Sequence, residues 1–124
     1  MRHRFTRQAD RDLLRIFRDS IRLFGDVQAR RYMDLINTAL RELRSDAFRA
    51  TSKARPEIRS GVRSLHLQVV ARRSGGASHI LYYAVESSLG DDAELVILRV
   101  LGDRMDPARR VTQALREEDR RSLS

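Results

Sequence analysis

The sequence contains no cysteine, which excludes disulfide-stabilised scaffolds, cysteine nucleophiles and thiolate metal sites. The only histidines are His3, His66 and His79, too few to favour a metal site built from histidine, and we expect neither a metal nor a cofactor. No apolar run approaches the roughly 20 residues that a membrane span needs. The first residues also lack the apolar core of a secretory signal. These absences predict a soluble cytoplasmic protein that does not act at a membrane.

Aromatic residues make up only 6% of the chain, which disfavours a protein that binds single-stranded nucleic acid by base stacking. Lysine is also scarce, because Lys53 is the only one and the other basic residues are arginines. The 25 basic residues nevertheless exceed the 17 acidic ones, giving a net charge of +8. This excess predicts attraction to something acidic, and composition leaves open whether that is nucleic acid or an acidic protein.

The length of 124 residues fits one domain, with a charged tail from about residue 117. A short first strand is expected before Thr6. Apolar residues at helical spacing then predict two helices from about Arg7 to about Phe48. Thr6 is the predicted N-cap of the first helix, Gly25 ends it, and Asp26 is the predicted cap of the second. Because the link is so short, the helices should form an antiparallel hairpin.

Beyond the hairpin the apolar period changes to two, which is typical of strands. The segment 95–101 is apolar on both faces and is the expected central strand. Asp106 and Pro107 are the predicted start of a short C-terminal helix. The sequence therefore predicts an α+β fold, with an N-terminal strand and the helical hairpin packed on an antiparallel sheet of about four strands. The predicted strands after the hairpin are 62–71, 79–85 and 95–101, with turns at 74–76 and 87–92.

The first helix carries acidic and basic residues at spacings that place them side by side. Asp12 precedes Arg15 by three residues, and Arg15 precedes Asp19 by four. A carboxylate pair for acid–base catalysis is one interpretation. A solvated helix face is favoured instead, with weak ion pairs that contribute about 0.3–0.5 kcal/mol each.

A ribonuclease that works without metal needs a general base, a general acid and cations over the scissile phosphate. Arg59, Arg63, His66 and His79 supply these residue types on or beside the predicted sheet. Histidines on exposed strand positions are more often ordinary surface residues. The ribonuclease interpretation therefore stays an alternative.

Arg99 interrupts an apolar strand, where a charge must reach water or a partner. One hypothesis is an internal ion pair with Asp103 or Asp106, which lie close by in the sequence. The other is that Arg99 and Arg104 form a basic site that faces a partner. Tyr32, Tyr82 and Tyr83 fit core positions better than a surface for base stacking.

Several short segments follow one another along the chain in an order and spacing typical of one protein family. Together they resemble the ParE toxins of the RelE/ParE superfamily of toxin–antitoxin modules, and they extend over residues 4 to 107. The segments are Ala9-Asp10-Arg11-Asp12-Leu13, Phe24-Gly25-Asp26 with Gln28, Ala29 and Tyr32, Arg55-Pro56-Glu57-Ile58-Arg59-Ser60-Gly61-Val62-Arg63-Ser64, Ser78-His79-Ile80-Leu81-Tyr82-Tyr83, and Ile97-Leu98-Arg99-Val100-Leu101-Gly102-Asp103-Arg104-Met105-Asp106.

The resemblance implies a toxin that is not an enzyme, inhibits DNA gyrase by binding, and is neutralised by a ParD-like antitoxin in a hetero-oligomer. Gly102 stands where relatives often carry histidine. The alternative is a ribosome-dependent messenger-RNA endonuclease of RelE type. Such relatives tend to carry a tyrosine or histidine near the C-terminus, whereas this chain has no tyrosine after Tyr83 and no histidine after His79.

These hypotheses select three sets of residues. For a ribonuclease, the catalytic candidates are Arg59, Arg63, His79 and Arg99. For a toxin that binds its target, the expected target contacts are Arg99, Arg104 and Arg63. For the antitoxin, the expected contacts are Leu14, Phe17, Tyr32 and Ile36.

Overall fold

The computed structural model describes residues 1–71, 76–87 and 93–123. Parts of the two expected turns, residues 74–75 and 88–92, lie outside the described residues. The elements in chain order are β1 (Arg2–Phe5), α1 (Arg7–Phe24), α2 (Asp26–Ser45), β2 (Lys53–Ala54), β3 (Arg63–His66), α3 (Gln68–Ala71), β4 (His79–Glu86), β5 (Glu94–Gly102) and α4 (Pro107–Leu123).

The predicted helical hairpin is confirmed, although it ends at Ser45 and not at about Phe48, and Thr6 and Gly25 bound α1 as the sequence indicated. The Thr6 hydroxyl oxygen accepts a hydrogen bond from the backbone N–H of Ala9 at 3.0 Å, so Thr6 caps α1. Gly25 has a φ of 86°, a conformation that favours glycine, and it separates the two helices. The second cap differs from the prediction, because Gly25 precedes α2 and Asp26 is already its first residue. The Asp26 carboxylate still favours this helix N-terminus electrostatically.

The sheet has five strands in the order β1-β5-β4-β3-β2. The pairs β2–β3, β3–β4 and β4–β5 are antiparallel, as consecutive strands with short links predict. β1 instead runs parallel to β5, because it is followed by the helical hairpin and meets a strand far along the chain. β5 therefore has a neighbour on each side, which confirms that the segment apolar on both faces is an interior strand.

The prediction of one strand over 62–71 is wrong in its second half. β3 ends at His66, and α3 follows as a single helical turn. The backbone N–H of Gln68 donates to His66 Nδ1 at 3.0 Å, and the N–H groups of Val70 and Ala71 donate to the Leu67 carbonyl oxygen. This turn buries Leu67 and packs Val70, three residues later, against the same core, whereas Val69 is 44% exposed, so the alternation that predicted a strand is not followed.

Helices cover both faces of the sheet. The hairpin packs on one face, with Leu40, Leu43, Leu81 and Ile97 in its core. α4 packs on the other face through Val111, Ala114 and Leu115, against β4 and β5 residues that include Leu98. No helix within the described ranges is both long and apolar enough to cross a membrane.

The charged tail expected from about residue 117 is helical, because α4 continues to Leu123. Glu118 holds this part of the helix against the sheet through a hydrogen bond with Arg4. Its buried carboxylate accepts a hydrogen bond from Arg4 Nη2 at 2.7 Å, and Arg4 Nε also donates to Glu94 at 2.8 Å. These bonds raise the pKa of Arg4 and tie α4 to β1 and β5.

Candidate functional site

Arg99 lies in β5 and forms a buried ion pair with Asp12 of α1. Its Nε and Nη2 atoms donate to the two oxygens of the Asp12 carboxylate at 2.7 and 2.8 Å, a bidentate geometry. The Asp12 Oδ2 atom also accepts the backbone N–H of Val100 at 2.9 Å. Only 11% of the Arg99 side chain and 6% of the Asp12 side chain are exposed. The pair therefore fastens the hairpin to the sheet.

This geometry corrects two expectations about charge pairing. Asp12 belongs to the interior, whereas the spacing on α1 favoured a solvated pair with Arg15. Arg99 pairs internally, but with Asp12 in place of Asp103 or Asp106. Asp103 instead accepts a hydrogen bond from His66 Nε2 at 3.1 Å, and Asp106 caps α4 by accepting the backbone N–H of Ala108.

Arg104 lies in the turn between β5 and α4 and is exposed. Across residues 1–71, 76–87 and 93–123, no hydrogen bond or ion pair holds its guanidinium. Among the three arginines expected to contact a target, its charge is therefore the most accessible. Arg63 is half-buried, donates to the Ser52 hydroxyl at 2.7 Å and lies over the Phe48 ring, 5.4 Å from its centroid.

The four side chains considered for ribonuclease chemistry do not converge. Arg63 lies opposite Tyr83 on β4, whereas His79 is four residues earlier on that strand, a separation of about 13 Å along it. Arg59 Nη2 donates a hydrogen bond to Asp119 Oδ2 of α4 at 2.9 Å. This bond lowers the pKa of the Asp119 carboxyl. Arg99 is held by Asp12, as described above. Nor do the described residues contain a cluster of three His, Asp or Glu side chains suited to a metal ion.

His79 forms a short hydrogen bond with Tyr32, which links β4 to α2. The Tyr32 hydroxyl lies 2.6 Å from His79 Nδ1, and the backbone N–H of Ser78 donates to the same hydroxyl at 3.3 Å. Burial lowers the pKa of His79 and raises the pKa of Tyr32, so both side chains favour their neutral forms. Asp103 and Asp12 oppose the shift of His79 without reversing it.

We expect acidification to destabilise the protein partly through His79. Because the pKa of His79 is lowered by folding, the unfolded chain takes up this proton at a higher pH than the folded chain. Stability is full above the ordinary histidine pKa of about 6.5 and is lost as the pH falls through that value toward the lowered one. The fall in Tm between about pH 7.5 and about pH 5 should be smaller in His79→Gln, by circular dichroism. An equal fall in both proteins would contradict this.

A groove of about 400 Å³ lies between α1 and the adjoining ends of β4 and β5. Apolar side chains form much of its lining, and polar side chains interrupt it. The lining includes Asp12, Arg15, Asp19, Leu23, Phe24, His79 and Met105.

The tip of the hairpin beside this groove is unusually apolar. Leu23, Phe24 and Val27 are 60%, 69% and 64% exposed, although their side chains are large and hydrophobic. Phe24 continues the apolar helical spacing of α1, but the buried face of the helix ends before the tip. Leu23 follows the buried Ile16 by seven residues and lies on the same helix face, so spacing alone does not mark it as exposed. Val27 precedes the buried Ala29 by two residues and therefore lies on another face of α2.

The four residues expected to contact an antitoxin occupy different environments. Leu14 is half exposed on α1, and Phe17 is partly buried on the same helix. Tyr32 is half-buried and bound to His79. Ile36 is only 2% exposed and belongs to the core beneath the hairpin, so it offers almost no surface to a partner.

The family model of the ParE toxin of type II toxin–antitoxin systems, parDE, matches residues 3–107. A solved structure described as a chromosomal ParDE toxin–antitoxin system from P. aeruginosa has a similar fold, with a TM-score of 0.60. The two sequences are 24% identical, and the match covers 82% of this chain and 95% of that chain. No curated protein matches the sequence at a significant level.

Proposed function

The chain belongs to the ParE toxin family of type II toxin–antitoxin systems, and on that basis we propose that it inhibits DNA gyrase by binding and is neutralised by an antitoxin encoded beside it. The match over residues 3–107 carries this proposal, because it includes the whole hairpin, strands β2 to β5 and all of β1 except Arg2. The toxin acts in the cytoplasm, where gyrase and the antitoxin are found. Its antitoxin is of the ParD type.

The arrangement of the basic side chains supports action by binding. The residues with the chemistry of a ribonuclease are separated and held by structural partners: Ser52 for Arg63, Tyr32 for His79 and Asp12 for Arg99. An accessible arginine suits a contact with another molecule, since its guanidinium presents a fixed set of donors.

Among the expected target contacts, we assign the main role to Arg104. Arg104 is exposed in the turn after β5, so its guanidinium can contact a partner without losing a hydrogen bond or ion pair within the described residues. Arg63 is a secondary contact, because part of its surface is accessible beside Phe48. Arg99 acts through the fold, since its guanidinium is committed to Asp12.

A supercoiling assay tests this function directly. Purified toxin should inhibit gyrase and cause cleaved DNA to accumulate, and addition of the antitoxin should restore supercoiling. Arg104→Ala should weaken inhibition by about tenfold, the loss expected when a charged contact with the target is removed, and leave Tm unchanged. Arg116→Ala, which removes an exposed arginine of α4, is the matched control and should have little effect.

The ribonuclease alternative makes a different prediction in the same preparation. Toxin that leaves gyrase fully active but cleaves messenger RNA in a cell-free translation reaction would contradict the proposed function. Equal inhibition of gyrase by the wild type and Arg104→Ala would leave gyrase as the target and remove Arg104 from the contact.

A further inference from the structure

Five arginines form a stripe along the solvent face of α1. At about 100° per residue, their side chains lie within an arc of about 80° around the helix axis, and every residue of α1 in that arc is an arginine. The buried residues Ala9 and Ile16 lie on roughly the opposite side of the helix. The stripe extends about 22 Å along the helix. Its members, all exposed, are Arg7, Arg11, Arg15, Arg18 and Arg22.

The middle of this arginine stripe has no counter-charge. Arg7 at one end lies 4.0 Å from Glu117, and Arg22 at the other end lies 3.5 Å from Asp19. Both distances are long for ion pairs and both arginines are mostly exposed, so these pairs contribute little stability. Within residues 1–71, 76–87 and 93–123, no carboxylate pairs with the three arginines between them.

The carboxylates of α1 itself lie outside the arginine stripe. Asp12 is buried against the sheet and its charge is balanced by Arg99. Asp19 and Asp10 are exposed, but they lie beyond the two edges of the arc, by about 40° and about 60° around the helix axis. The stripe therefore presents a row of cations with no acidic side chain inside it.

The phosphate backbone of duplex DNA matches this surface. Each strand carries one phosphate for about every 3.4 Å of helix axis, so the length of the stripe corresponds to about six phosphates in a row. A guanidinium presents a fixed fork of donors to phosphate oxygens. A protein partner would need an apolar anchor, and a single strand would need an aromatic platform for its bases, and the arc contains neither.

We propose that the arginine stripe of α1 binds the phosphate backbone of duplex DNA without reading its sequence. During inhibition, the stripe contacts the DNA that gyrase holds, a role that rests on the proposed function. Arg15 and Met105 line the same groove, so the stripe borders the turn that carries Arg104. One complex can therefore engage the stripe and that turn together.

Fluorescence anisotropy with a short labelled duplex tests the stripe. The double variant Arg11→Gln with Arg18→Gln removes two central cations. It should raise Kd by about tenfold or more at about 0.1 M salt, and it should lower the slope of log Kd against log salt concentration by about two. Wild-type toxin should bind duplexes of unrelated sequence with similar Kd, because the contacts are to phosphates.

The double variant Arg109→Gln with Arg116→Gln is the matched control. It lowers the net charge by the same amount, and its two arginines are also seven residues apart and exposed, but they lie on α4. The control should bind DNA nearly as tightly as the wild type. Because all four side chains are exposed, Tm should change little in either variant.

Two outcomes would overturn the stripe as a DNA-binding surface. Equal weakening by the two double variants would mean that net charge alone attracts the duplex. If Arg11→Gln with Arg18→Gln loses affinity for the antitoxin and keeps its affinity for DNA, the stripe is a surface for an acidic protein.

The supercoiling assay separates this inference from the proposed function. We expect Arg11→Gln with Arg18→Gln to inhibit gyrase about tenfold more weakly than the wild type, in proportion to its loss of DNA affinity. If both inhibit gyrase equally, the proposed function stands and the inferred DNA contact in the gyrase complex is wrong. If the wild type binds DNA through the stripe but leaves gyrase fully active, the proposed function is wrong and the stripe remains a DNA-binding surface.

Discussion

Replacing Leu98 with aspartate is expected to lower the free energy of unfolding by about 4 kcal/mol or more. Leu98 is 1% exposed and lies in the core between the sheet and α4, with Val111, Ala114 and Leu115. The buried residues of this core are aliphatic side chains and Tyr82, so the new carboxylate would be placed among apolar groups and away from water. Since a domain of this size is stabilised by only about 5–15 kcal/mol, much of its stability should be lost.

Urea denaturation followed by circular dichroism measures this loss as a lower midpoint. Leu14→Asp is the matched control, because it makes the same chemical change at a side chain that is 50% exposed. The control should lose little stability. If Leu98→Asp and Leu14→Asp unfold at the same urea concentration, then Leu98 is not enclosed between β5 and α4.

The features predicted correctly from the sequence depend on neighbouring residues. Thr6 and Gly25 set the helix ends through their own side-chain and backbone properties, which act within one turn. The apolar run of β5 identified an interior strand because both of its faces need cover. The same local logic failed at 67–71, because Leu67 and Val70 also have the i,i+3 spacing of a helix face, and the structure follows that spacing in place of the alternation.

The features that were missed depend on residues far apart in the chain. Asp103 and Asp106 were the obvious partners for Arg99 in the sequence, yet the partner is Asp12, 87 residues away. α4 continues past residue 117 because Glu118 meets Arg4, which is 114 residues away. Periodicity identifies the buried stripe of a helix but not where that helix extends beyond the sheet. The exposed hairpin tip and its groove could therefore be found only in the structure.

Breaking the pair between Asp12 and Arg99 is expected to cost about 3–5 kcal/mol, the usual penalty for leaving one member of a buried pair alone. Asp12→Asn leaves the Arg99 charge without its carboxylate, in a position where only 11% of the side chain is exposed. Arg99→Gln leaves the opposite charge on Asp12. Each single variant should unfold at a lower urea concentration than the wild type.

The double variant Asp12→Asn with Arg99→Gln should recover much of this loss. Both charges are then removed, and the amide oxygen at position 12 can still accept the Val100 N–H. A thermodynamic cycle over the four proteins should give a favourable coupling energy of about 1–3 kcal/mol. Additive losses would contradict a direct pair.

The same four proteins decide whether Arg99 also contacts the target. If Arg99 acts only through the fold, growth inhibition should follow the folded fraction, and the double variant should remain toxic once its stability is recovered. If its guanidinium binds the target, the double variant should be stable yet non-toxic. The bidentate bonds to Asp12 commit the guanidinium donors within the protein, so we expect toxicity to return with stability.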